Sequence, residues 1–180
     1  MKIRRITAKD LETRAMWMNS PLVYKTMHFV PPISLDNIKK WYQANIKNTN
    51  RFDATIEDNE GNLLAFGGLT NIDYSVRKAE LYLFVNPDKL GRGIGKMSTS
   101  LLCQYGFEIL QLHKIYLYTN VTNIGAVKTY ERVGFQLEGV HRDENIVSDK
   151  YENRLYYGLL AKDFNNLGIE LVLSSDNVVK

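Results

Sequence analysis

Cysteine is nearly absent. Cys103 stands alone, so no disulfide can form within the chain, and the sequence fits a reducing compartment. Long hydrophobic runs are absent too: no segment approaches the roughly 20 apolar residues of a membrane span. The opening MKIRRITAKD has basic residues with no apolar stretch behind them, which excludes a secretory signal and leads to the expectation of a cytoplasmic protein. A dominant charge is missing as well. Lys and Arg number 23 against 20 Asp and Glu, and the basic residues are scattered, Lys39-Lys40 being the nearest thing to a tract. The concentrated basic face of a nucleic-acid binder is not there, so no nucleic-acid and no membrane partner is expected. The 3 histidines, His28, His113 and His141, lie far apart with no second cysteine, so no metal site is expected.

What is present is ordinary globular composition, 44% hydrophobic and 24% charged, with no repeat and no linker. Alternation marks a first strand over 2–6, and Thr7 caps a helix reaching about Asn19, where Ser20-Pro21 breaks it. An aromatic and Met-rich stretch runs from Leu22 to Pro32. Ser34 caps a second helix to about Asn48. Strands follow over 52–57, 63–72 and 78–85, the first two joined by the turn Asp58-Asn59-Glu60-Gly61. A glycine loop opens a helix to about Leu110, with Ile94, Met97, Leu101, Leu102, Tyr105 and Ile109 on one face. Cys103 falls in that pattern as a core residue. Then come a strand over 114–119, a helix from Asn123 to Gly134, and strands over 135–146 and 151–160 with Ser148-Asp149 between them. The tail has no strong pattern until Ile169–Leu173. The order implies one mixed α/β domain over 1–165 and a tail over 166–180. About four helices flank a mostly antiparallel sheet of about seven strands, with one central parallel pair joined by a right-handed crossover.

Strand, Gly91-x-Gly93-x-Gly95, helix is a phosphate-binding layout. Glycines let backbone amides approach an anion, the helix N-terminus adds partial positive charge, and Arg92 and Lys96 offer full charges. The spacing is neither that of a dinucleotide fingerprint nor that of a Walker A loop. Downstream stands Asn123-x-x-Ala126-x-x-x-Tyr130-Glu131-x-x-Gly134-Phe135. Together the two motifs and the element order resemble the GCN5-related N-acetyltransferase superfamily over 2–164. The loop departs from the family's Q/R-x-x-G-x-G/A only in Leu90, where Gln or Arg is usual, and Lys89 or Arg92 stands ready to replace that contact.

The resemblance implies acetyl-CoA as co-substrate and a splayed pair of central strands that admits its pantetheine arm. It places the cofactor against Phe84, Val85, Leu90, Gly91, Arg92, Gly93, Ile94, Gly95, Lys96 and Asn123. Backbone amides near Phe84-Val85 meet the oxyanion, and Tyr130 protonates the departing thiolate. A phenol with a pKa near 10 suits that task. An alkyl ammonium must lose a proton before it attacks; the family implies a base at Glu80, whose plainer reading is an ion pair with Arg77 or Lys78. Tyr82, on the same strand face, is expected to help orient a water.

The acceptor is a small-molecule or peptide amine. The segment Trp17-Met18-Asn19-Ser20-Pro21-Leu22-Val23 with Met27, Ile33-Ser34 and Trp41-Tyr42 resembles the subgroup of ribosomal-protein, polyamine and amino-sugar nucleotide acetyltransferases. Between residues 16 and 46 the only carboxylate is Asp36, which argues against a polycation. Trp17, Tyr24, Phe29, Trp41 and Tyr42 offer rings to stack on, their plainer reading, above all for Trp17 and Trp41, being the core of the two helices, and Lys25, Lys39 and Lys40 suit a diphosphate. The expectation is therefore an amino-sugar nucleotide, with a protein N-terminus or a polyamine as alternatives. A CoA-binding domain without catalysis, or an interaction module, is the reading from another class. The family resemblance also implies a homodimer.

Overall fold

A computed structural model describes residues 1–147, 149–168 and 171–172. Seven strands form one sheet: β1 (Lys2–Arg5), β2 (Phe52–Glu57), β3 (Leu63–Asp73), β4 (Lys78–Val85), β5 (Lys114–Asn120), β6 (Gln136–Val147) and β7 (Lys150–Leu160). Their spatial order is β1-β2-β3-β4-β5-β7-β6. Only β4 and β5 run parallel, and their pairing stops after Lys78↔Lys114, Ala79↔Ile115 and Glu80↔Tyr116. Beyond Glu80 the two strands separate, which is the expected splay.

The helices are α1 (Leu11–Met18), α2 (Pro21–Met27), α3 (Leu35–Asn45), α4 (Ile94–Gln104) and α5 (Ile124–Val133). There is one more than expected. Ser20-Pro21 does not simply break the chain: Ser20 is the N-cap of α2 and Pro21 its first residue, where the missing N–H costs nothing. After Gln104, α4 loosens into a π turn over Tyr105–Ile109, which swings Ile109 out to 44% exposure instead of into the expected apolar face. Cys103 is fully buried, as expected, and burial pushes its thiol up.

Two apolar layers sandwich the sheet. On one side Leu101, Leu102 and Tyr105 meet Ile3, Phe52, Ile56, Leu69 and Ile115. On the other Leu11, Ala15, Trp17, Val23 and Ile38 meet Phe66 and Phe84. The start of α1 is held by a buried carboxylate. Asp10 accepts both Arg4 guanidinium nitrogens at 2.6 and 2.7 Å, and also the Thr7 amide and hydroxyl. Desolvation works to raise the Asp10 pKa, but these hydrogen bonds outweigh it and hold the carboxyl below its usual range.

Asp149 sits in the β6–β7 turn in the left-handed region, while Ser148 lies outside the described residues, as do Ile169, Glu170 and 173–180. Where the tail is described it packs on the domain. The Val172 carbonyl accepts from the Ile3 amide at 3.2 Å, and Leu171 joins the core. Among the described residues no helix is long and apolar enough to cross a membrane.

Candidate active site

The glycine loop sits at the carboxyl end of β4, as its sequence position requires. Gly91 (φ +79°) and Gly93 (φ +77°) occupy the left-handed region, and a Cβ on either would meet nothing within 4 Å. Glycine is needed there for conformation, not for space. Gly95 differs: its Cβ would lie 3.8 Å from both Val85 Cγ2 and Thr129 Cγ2. The first turn of α4 is thus set between the end of β4 and α5. Gly93 accepts the first bond of α4, from Met97 N–H at 3.1 Å. The amides of Ile94, Gly95 and Lys96 precede that bond and have no intrahelical partner, so they face outward with the positive end of the helix. Arg92 and Leu90 are exposed at the same mouth.

Asn123 is the N-cap of α5, its Oδ1 accepting from Ala126 N–H at 3.3 Å. Gly134 (φ +108°) closes the helix, and the amides of Gly134 and Phe135 both donate to the Tyr130 carbonyl. These two caps fix the position of Tyr130, which is 9% exposed. Burial, and next the neighbouring Cys103, push its phenol up to about 12. Such a group stays protonated at any physiological pH.

The open edge of β4 supplies further donors. Asn86 N–H bonds Leu64 on β3 at 2.9 Å, so alternation turns the amides of Phe84 and Tyr82 toward β3 and those of Leu83 and Val85 toward the splay. Of the expected pair, Val85 presents its N–H to the gap, while Phe84 is buried beneath Phe29 and Phe66.

Glu80 stands at the vertex of the splay, opposite Tyr116. Neither Arg77 nor Lys78 pairs with it; its Oε2 accepts from Asn71 Nδ2 at 2.9 Å. Tyr82, expected to help orient a water, is tied to β2. Its hydroxyl donates to Asp53 Oδ1 at 2.6 Å, and Asp53 is also gripped by Arg51 at 2.6 and 2.7 Å. Trp17 and Trp41 are likewise taken. Trp17 is buried edge-on to Phe66, and Trp41 lies 4.4 Å from the Arg14 guanidinium and 5.4 Å from that of Arg51. Trp17 is therefore closed to a ligand, while Trp41 is partly exposed. Lys25, Lys39 and Lys40 are exposed on α2 and α3.

A surface that sequence reasoning missed lies beside Glu80. Tyr116, Tyr118 and Tyr156 project from β5 and β7 with ring centroids 5.1 to 6.0 Å apart, and His141 lies 5.4 Å from Tyr118. Burial raises the phenols of Tyr116 and Tyr118, and the Glu80 charge raises both further. Glu144 also acts on Tyr118. Cations already rest on these rings: Arg154 is 4.7 Å from the Tyr118 centroid and Lys114 is 5.5 Å from that of Tyr156. The tyrosines two apart in Tyr116-Leu117-Tyr118 were the available signal, since alternate residues share a strand face. At the rim, His28 from the end of α2 meets Asn120 Oδ1 at 3.1 Å, and Asn145 Nδ2 from β6 donates to the same oxygen at 2.9 Å. The same Asn145 Nδ2 lies 3.1 Å from His28 Nε2, so the three side chains close into one cluster.

Parallel strands that part after three paired residues, with a glycine loop opening a helix at the carboxyl end of β4, are the layout of an acyl-CoA-dependent N-acetyltransferase. The comparisons make the class particular. Residues 1–136 match the acetyltransferase (GNAT) domain family. A spermidine N(1)-acetyltransferase of Vibrio cholerae is 33% identical over 136 residues, spanning 75% of this chain and 79% of the relative. That of Escherichia coli K12 is 27% identical, spanning 86% and 83%. A putative ribosomal N-acetyltransferase of Bacillus subtilis is 31% identical over 58% of this chain and 57% of its own. Among solved structures, spermidine N-acetyltransferase from Vibrio cholerae in complex with CoA and spermine superposes with a TM-score of 0.86 at 28% identity, covering 90% of this chain and 96% of that one. The chain belongs to the GNAT acetyltransferase family, and its co-substrate is acetyl-CoA. Among the described residues no cluster of His, Cys, Asp or Glu could hold a metal ion.

Proposed function

We propose that this enzyme acetylates a primary amine of a small polyamine by direct attack within a ternary complex. The observation that carries this reading is the tyrosine face at the splay, where Tyr116 stands opposite Glu80 and its ring clusters with those of Tyr118 and Tyr156, with the charges of Glu80 and Glu144 both acting on Tyr118. Aromatic faces and carboxylates are what an alkyl polycation binds. The helices offer only Asp36, but the carboxylates on this face come from β4 and β6 instead. The similarity to spermidine acetyltransferases supports the same choice over an amino-sugar nucleotide, and of the rings expected to stack on a nucleotide Trp17 is buried in the core.

In this reading the outward amides and charges of Gly91, Arg92, Gly93, Ile94, Gly95 and Lys96 hold the pyrophosphate, and exposed Leu90 adds no polar contact. Asn123 sets α5, and through it Tyr130. Phe84 shapes the floor beneath the thioester. Glu80, directly or through a water, takes the proton from the incoming ammonium. The amine nitrogen attacks the thioester carbon, and the Val85 amide donates to the oxyanion. As the tetrahedral intermediate collapses, the C–S bond breaks and Tyr130 gives its proton to the sulfur. A cytoplasmic location and a homodimer carry over from the sequence and the family resemblance. Cell fractionation tests the first and sedimentation of the purified chain the second. The α-amine of a protein is the second reading, favoured by the similarity to the putative ribosomal acetyltransferase.

The test is release of free thiol from acetyl-CoA with spermidine, spermine, amino-sugar nucleotides and peptides with free N-termini. Polyamines are expected to exceed the other classes by about tenfold or more in kcat/KM, an amount that one desolvated cation–aromatic contact supplies. Turnover led by a peptide would establish the second reading, and turnover led by an amino-sugar nucleotide would restore the original expectation.

A further inference from the structure

The β3–β4 ladder carries one extra residue beside Glu80. Thr70 pairs with Glu80 and Asp73 with Lys78, so three steps along β3 oppose two along β4. In a regular ladder Asn71 would follow Thr70 onto the opposite face of the sheet. Instead Asn71 has φ +50°, in the left-handed region that Asn tolerates better than most residues, and its side chain comes back to the Glu80 side. Bulges re-aim side chains in this way, and they gather next to active sites.

We infer that Asn71 is a positioning residue for Glu80. This deepens the reading of Glu80 as the base and rests on it. The Asn71 Nδ2 donates to Oε2 at 2.9 Å, and no group among the described residues is bonded to Oε1. One carboxylate oxygen is thus anchored, and the other is without a hydrogen bond among the described residues. The like-charged alternative, a carboxylate at position 71, would oppose that anchoring.

The experiment follows the pH dependence of kcat/KM for the best amine of the panel, at saturating acetyl-CoA, in four variants. Asn71→Gly keeps the positive φ and removes the amide. Asn71→Asp keeps both the shape and the tolerance of that φ, but exchanges the donor for a negative charge. Glu80→Gln and the double variant Asn71→Asp/Glu80→Gln complete a cycle. If the substrate ammonium gives its proton to Glu80, the rising limb reports the Glu80 carboxyl. Loss of the donor raises that pKa and moves the limb to higher pH. Asn71→Asp is expected to move it by about one unit and to lower kcat/KM about tenfold at neutral pH, with Asn71→Gly moving it in the same direction by less. In the Glu80→Gln background the Asn71→Asp substitution is expected to have no further effect.

Glu80→Gln shifting the profile while both Asn71 variants keep the wild-type profile would overturn the role of Asn71 and leave the base assignment standing. A wild-type profile for Glu80→Gln would overturn the base assignment, and the inference about Asn71 with it. An Asn71→Asp effect that persists undiminished without Glu80 would show that Asn71 acts on something else.

Discussion

The two wings of the sheet on either side of the splay are covered differently. In the wing of β1 to β4 both faces are packed, and β2 is buried at five successive positions, Phe52 to Ile56. In the wing of β5, β7 and β6 one face is packed. The other shows Tyr116, Tyr118, Tyr156 and His141, and β6 has no buried residue. The first wing holds α1, the glycine loop and the open edge of β4 in place, so a change there is felt as stability or as cofactor binding. The second has room to vary without unfolding the domain, and in the proposed reading it faces the acceptor. Similar folds can therefore keep one cofactor and exchange amines.

That division can be broken at Asp10, where the largest effect is expected. Asp10→Ala leaves the buried Arg4 guanidinium with Glu57 at 2.9 Å and the Arg5 carbonyl at 3.2 Å, and should cost about 3–5 kcal/mol in denaturant unfolding. A cost below about 1 kcal/mol would put the stability of this wing elsewhere. The sign of the pH dependence follows from the depressed Asp10 pKa. Its contribution is complete above the unfolded value near 3.9 and is lost as pH falls through the lower folded value.

Next comes Tyr130→Phe, which leaves the packing intact and removes the acidic proton. Turnover should fall about tenfold or more while acetyl-CoA affinity holds. Unchanged turnover would remove Tyr130 from the mechanism. Gly93→Ala should act in the opposite sense. A left-handed alanine costs about 1–2 kcal/mol, so acetyl-CoA binding, read by calorimetry, should weaken about five- to tenfold with little change in kcat at saturation. Equal loss in both quantities would mean that the loop also shapes the reacting centre.

The packed wing and the cofactor side were largely legible before any coordinates. Periodicity located β2 and β4, and local chemistry alone marked the glycine loop, the Asn123 cap and Gly134. Each of these depends on residues close in sequence. The acceptor side depends on long-range register. That Tyr82 is spent on Asp53, 29 residues away, cannot be read from strand alternation. Nor can the bulge that turns Asn71 back to Glu80, or the convergence of His28, Asn120 and Asn145 from three elements. The missed helix α2 is a different failure. Ser20-Pro21 carries both a stop and a start signal, and both applied: α1 ends at Met18 and α2 begins at Pro21.

The smallest effect sharpens the comparison most, because it separates the wings by kinetic parameter and not by magnitude. Tyr118 lies on the open face, between Tyr156 and His141 and beneath Arg154. Tyr118→Leu keeps an apolar side chain of similar reach and removes the π face. A cation–π contact at a partly exposed site is worth about 0.5–1 kcal/mol, so KM for spermidine should rise about two- to fivefold. KM for acetyl-CoA and the unfolding midpoint should stay where they are, since no core residue rests on this ring. A rise in spermidine KM alone assigns the tyrosine face to the acceptor. A matching rise in acetyl-CoA KM would mean that the ring supports the splay itself, and the two wings would then not divide stability from specificity as their packing indicates.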